Sequence, residues 1–221
     1  MFDFFIKKNR KICPYCRIQI GKKHKIKFTC PCCKGEIFIR KEADKSQYIT
    51  RADFESKQVE EKANAERNNY YRFFEQEVGG NFLQQREKEW LEEFKGKATY
   101  PDLIWSVSNE LIQTYAEENL FREMSNLYLK MAFFQKKYGR DFFTYLQDCR
   151  KMQLNDLRSK CHYLTSKVRI IVVDRNCKTC MDLEGKVFTF EEALKFMPIP
   201  HKDCNYESGW CNCSWAAEFE D

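Results

Sequence analysis

The chain has 221 residues, 43% hydrophobic and 32% charged, with a formal net charge of +5. That composition excludes a disordered or fibrous chain and leaves room for one to three domains with a real core. No stretch approaches the ~20 apolar residues of a membrane span, and the opening MFDFFIKKNR has an acid and an apolar run too short for a signal peptide, so a cytoplasmic location is expected.

Twelve cysteines are unusual in such a chain. In a reducing compartment they read as metal ligands rather than disulfides. Five lie at 13, 16, 30, 32 and 33, and five at 177, 180, 204, 211 and 213; only Cys149 and Cys161 fall between. Charge is equally uneven. Residues 1–45 hold 13 Lys/Arg against four acids, a balance of +9 that leaves −4 for the other 176 residues.

The first element, residues 1–45, contains CPYCRIQIGKKHKIKFTCPCC at 13–33. Each C-P-x-C turn places two thiolates at the tip of a tight hairpin, and two such turns can close on one tetrahedral zinc. IKF (26–28) and EIFI (36–39) read as short strands, so a zinc ribbon is expected with Cys13, Cys16, Cys30 and Cys33 as ligands and Cys32 as the spare. So short a segment needs the ion in place of apolar bulk. Its basic cluster suits an acidic partner, nucleic acid in particular, with Lys22, Lys23, Lys25 and Lys27 neutralising phosphates and Tyr15, His24 or Phe28 stacking on bases. Docking to a protein is the competing use.

Residues 46–165 read as helices. A long charged helix from Ser46 is expected to stop at Gly79-Gly80. Asn81 with Gln84 resembles a capping box for the next helix, and Pro101 suits the first turn of a third. Leu103, Ile104, Val107, Leu111 and Tyr115 make an apolar stripe near period 3.6. Leu120, Met124, Leu127, Tyr128, Met131 and Phe134 make another, ended by Gly139, after which Asp141 can cap a last helix. Short loops make these helices antiparallel neighbours. Their spacing is reminiscent of tetratricopeptide-like hairpins, without that pattern's small Gly and terminal Pro. A protein partner could lie in a groove of this bundle. No catalytic constellation is legible: the chain has three histidines, His24, His162 and His201, and no Gly-rich phosphate loop, G-x-S-x-G or H-E-x-x-H.

Residues 166–221 form the last element: VRIIVV (168–173), Cys177-x2-Cys180, a Gly185 turn, KVFTF (186–190), a helix FEEALKFM, then PIPHKDC and GWCNC. A redox C-x-x-C would open a long helix directly; here a Gly turn and a strand follow. Cys177, Cys180 and Cys204 are therefore expected metal ligands, with Cys211, Cys213 or His201 supplying the fourth. Zinc is expected, with an iron–sulfur cluster as the alternative.

Cys177, Cys180, Gly185, Phe188, Pro200, Cys211 and Cys213 follow in the order of a known motif. The last ~50 residues (by the span of these positions) resemble the C-terminal motif of phage Mu F-like minor head proteins, C-x-x-C…G-x-x-F…P-x-H-P-x-C-x-C. The chain departs from it in lacking His-Pro before C-N-C, with His201 and Cys204 upstream and NYESGW inserted. The resemblance implies a compact metal-stapled module and a phage or prophage setting.

Together these readings predict a mainly α protein: a basic zinc ribbon, a central helical bundle and a small C-terminal α+β module, with two structural zinc ions. The expected function is non-catalytic binding, of nucleic acid or another acidic partner by the ribbon and of a protein by the helices. A structural accessory of the phage head or portal is one alternative, and a hydrolase using the C-terminal metal is another.

Overall fold

The computed structural model describes residues 11–21, 26–42, 45–173, 175, 177–204 and 209–219. The chain divides into two compact units, Met1–Asn69 and Tyr70–Asp221. Helices dominate, with one small antiparallel sheet in each unit.

In the first unit, strands β1 (Lys27–Thr29), β2 (Glu36–Glu42) and β3 (Lys45–Ile49) form a sheet in that order. β3 corrects the sequence reading, which began a helix at Ser46. Ile49 lies opposite Phe38 and Tyr48 opposite Ile39, so pairing with β2 claims the segment before a helix can start. Helix α1 (Arg51–Phe73) begins only after Thr50, whose hydroxyl accepts from the Asp53 N–H at 3.1 Å. Phe54 on its first turn stacks on Phe38 of β2, centroids 4.7 Å apart. Among the described residues the core cluster is Cys13, Ile20, Cys30 and Ile37, flanked by Cys16, Phe28 and Tyr48.

The unit boundary falls inside α1, which ends at Phe73 rather than at Gly79-Gly80. Tyr70 and Phe74 are fully buried in the second unit, where the Tyr70 hydroxyl donates to the Leu83 carbonyl at 2.9 Å. Helix α2 (Gly80–Phe94) follows. Gly79 is its N-cap with no side-chain cap bond, so the capping box expected of Asn81 and Gln84 does not form. Helix α3 (Tyr100–Glu117) starts at Thr99, which donates its N–H and its hydroxyl to Asp102 Oδ2 at 2.9 and 2.7 Å.

Helices α4 (Phe121–Lys137) and α5 (Phe143–Cys161) complete the layer, α3 against α4 and α4 against α5. Leu103, Val107, Leu111, Leu127 and Met131 form the spine of its core, as the apolar stripes require. The aromatic side chains are not all inside: Phe133 and Tyr138 stand half exposed. Buried Glu87 accepts from the Tyr71 and Tyr100 hydroxyls at 2.7 and 2.6 Å, which satisfies its carboxylate.

The C-terminal elements are β4 (Lys167–Ile171), α6 (Lys178–Met181), β5 (Val187–Thr189), α7 (Phe190–Phe196) and β6 (Ser214–Glu218), with the antiparallel sheet in the order β5-β4-β6. α5 packs on both α7 and β6, and its Leu154 joins Val168, Ile170, Phe190, Ile199 and Trp215 in a second core. Thr189 and Glu192 form the reciprocal box that starts α7. No helix among the described residues is long and apolar enough to cross a membrane.

Candidate metal centres

Two turns of the same design build the N-terminal centre. In the first, the Cys13 N–H donates to the Ile18 carbonyl at 2.9 Å and the Arg17 N–H to the Cys13 carbonyl at 3.0 Å. In the second, Cys30 N–H donates to Gly35 at 2.9 Å and Lys34 N–H to Cys30 at 3.0 Å. Each turn presents both its sulfurs on one side.

The structure brings together Cys13, Cys16, Cys30 and Cys33, their sulfurs all within 4.8 Å of one another. Across the two turns, the Cys13 and Cys33 sulfurs are 3.7 Å apart and the Cys16 and Cys30 sulfurs 3.6 Å apart. A tetrahedral ion with metal–sulfur bonds of ~2.3 Å has sulfurs about 3.8 Å apart, so the donor set fits such an ion. These spacings are far from a disulfide bond, and all twelve cysteines are free thiols. Cys32 is exposed and stands outside the set.

The Cys33 and Cys32 backbone N–H groups and neighbouring thiols lower the Cys30 thiol to about 6 against the resistance of burial. Gly35's N–H draws Cys33 down, but desolvation and the sulfurs of Cys16, Cys30 and Cys13 together push it up to about 12. A cation entering the set would displace whatever protons its four thiols carry.

Of the residues offered for base stacking, Tyr15 and Phe28 have partners within the ribbon. Tyr15 lies over Gly35, where an added Cβ would meet its ring at 2.6 Å, and its hydroxyl accepts the Arg51 N–H at 3.3 Å. Phe28 packs edge-on against Tyr48 at 5.4 Å. Lys27 pairs with Glu36 at 2.7 Å. Lys22, Lys23, His24 and Lys25 lie outside the described residues.

The C-terminal centre is made by sheet pairing. Ser214, next to Cys213, pairs with Ile171 at the end of β4. That register carries Cys211 and Cys213 to the place where the chain leaves β4 for Cys177, the N-cap of α6, and Cys180 within it. Cys177, Cys180, His201 and Cys204 form one set of ligand atoms within 4.8 Å of one another, and Cys180, Cys211 and Cys213 form a second. Cys180 Sγ is 3.1 Å from His201 Nε2, 3.7 Å from Cys204 Sγ and 4.0 Å from Cys211 Sγ.

His201, one of the three candidates for the fourth place, thus stands beside Cys177, Cys180 and Cys204. Its Nδ1 is buried without a hydrogen-bond partner, and its Nε2 aims at the sulfurs. Burial raises the Cys180 thiol. The Cys213 thiol, with N–H groups of His201 and Cys213, lowers Cys211 to about 5, and in return Cys211 and burial raise Cys213.

Both Cys-rich centres could therefore hold a metal ion. Comparison with protein-family models, with curated proteins and with solved structures gives no match.

Proposed function

We propose that both centres bind zinc and that the chain is a non-catalytic binding protein whose ribbon grips a polyanion, nucleic acid first, while its helical region holds a protein partner. The observation that carries this reading is the pair of congruent Cys-Pro-x-Cys turns, four sulfurs at tetrahedral spacing, on a segment with a +9 balance. Four thiolates favour zinc over hard cations and leave no corner of the ion for a substrate, which suits a structural role. The Lys27–Glu36 pair is half exposed, so exchanging its carboxylate for a phosphate costs little. The ordered C-terminal motif supports a phage or prophage setting for this binding.

The test is anisotropy of labelled duplex and single-stranded DNA and RNA, titrated with the full chain between 50 and 200 mM salt. Binding should weaken steeply with salt, and a Lys22/Lys23/Lys25/Lys27→Ala variant should bind more weakly, with a salt slope shallower by about 1 per lysine removed. Equal binding by the variant, or none by either protein, refutes the nucleic-acid reading.

A further inference from the structure

Six ligating side chains converge in the C-terminal centre, although a tetrahedral ion has only four corners. They sort into two sets with a single shared member, Cys180. On one side Cys180 Sγ faces His201 Nε2 at 3.1 Å and Cys204 Sγ at 3.7 Å; on the other it faces Cys211 Sγ at 4.0 Å. The surplus cysteines are not bystanders on the surface: Cys211 and Cys213 are 1% exposed, as buried as Cys177 and Cys180. They also sit in the same apolar core, with Val168, Ile170 and Trp215.

We propose that the C-terminal module binds two divalent ions bridged by the Cys180 thiolate. One ion takes Cys177, Cys180, His201 and Cys204; the other takes Cys180, Cys211 and Cys213. A thiolate sulfur has lone pairs for two metals, and two tetrahedra sharing that vertex have seven corners. The chain fills six, and a water fills the seventh, on the ion beside Cys211 and Cys213. Charge favours the pair. Five thiolates around one dication would bury a balance of −3, whereas around two dications the balance is −1, a much smaller cost in a low-dielectric core. Loading releases to solvent the protons of whichever of these thiols are still protonated. The inference rests on the zinc reading of the C-terminal centre and deepens it from one ion to two.

The full chain, purified under reducing conditions and loaded with zinc, is counted by native mass spectrometry, with a parallel sample carrying cadmium-113. Three ions per chain are expected, one in the ribbon and two here, and the Cys180 β-protons should couple to two cadmium resonances. A Cys211→Ala/Cys213→Ala variant should drop to two ions. Two ions in the parent chain overturn the bridged pair while leaving the zinc reading intact; fewer than two overturn both. Three ions with Cys180 coupled to a single cadmium also overturn the bridge. The cadmium spectrum uses the unaltered chain, so it decides the matter even if the double variant fails to fold.

Discussion

Arg17 and Lys34 occupy the same place in two copies of one turn, and both adopt the left-handed backbone region, with φ of 65° and 61°. Each follows the second cysteine of its turn's metal-ligand pattern and donates its N–H back to the first cysteine's carbonyl at 3.0 Å. The reversal that turns both sulfurs inward is made at this residue.

A β-branched side chain should not be tolerated there. Lys34→Val should destabilise the ribbon by about 1–2 kcal/mol relative to Lys34→Gly, since left-handed backbone is costly for all but glycine. Denaturant unfolding of the two zinc-loaded variants, followed through Tyr15 and Tyr48, measures the difference.

Gly35 serves a different need. An added Cβ would lie 2.6 to 3.1 Å from three atoms of the Tyr15 ring, which is body rather than flexible tip. Gly35→Ala should therefore displace the ring and cost on the order of 1–3 kcal/mol. Gly35→Ala combined with Tyr15→Ala should recover most of that loss, a coupling that a double-mutant cycle reads directly.

Metal removal should unfold the chain unevenly. A strong chelator should raise amide exchange in β1 and β2, whose core cluster among the described residues is Ile20, Ile37, Cys13 and Cys30, while Val107, Leu111 and Leu127 stay protected. Cys33→Ser should reproduce the effect in the ribbon and Cys32→Ser should not. Equal protection in β1 and β2 with and without chelator would refute the dependence on metal.

The helical layer should behave as an ordinary core. Leu127 is fully buried between α3, α4 and their neighbours, and Leu127→Ala should cost about 2–5 kcal/mol. This loss should be the same in zinc and in chelator, as judged by the helical signal on thermal unfolding.

Asp102 gives a pH dependence of known sign. The Thr99 hydroxyl and then its N–H hold the carboxyl below its usual range. A depressed carboxyl contributes stability that is fully present above its unfolded pKa of about 3.9 and is lost as pH falls through the folded value. Asp102→Asn should thus lose stability at pH 7 and converge with the parent below the ordinary carboxylate range, in urea titrations at fixed pH values.

The turn chemistry was legible because it is local. A C-P-x-C turn makes its own hydrogen bonds within six residues, as Cys13 to Ile18 and Cys30 to Gly35 do, so spacing alone singled out four cysteines whose sulfurs stand together. The stripes of Leu103 to Leu111 and of Met124 to Met131 were legible for a similar reason: a helix repeats every 3.6 residues whatever it packs against. Ser46–Ile49 was misread because four residues carry too little pattern to separate strand from helix, and only pairing with β2 decides it.

Composition and spacing therefore determined the kinds of donor, the basic end and the helical middle. Tertiary structure alone decided how Cys177, Cys180, His201, Cys204, Cys211 and Cys213 divide, because the pairing of Ile171 with Ser214 joins ends of the chain more than forty residues apart. It likewise turned Tyr15 from a free aromatic into the lid over Gly35. Contacts between distant segments depend on the register of the sheet, and no periodicity within a single segment encodes that.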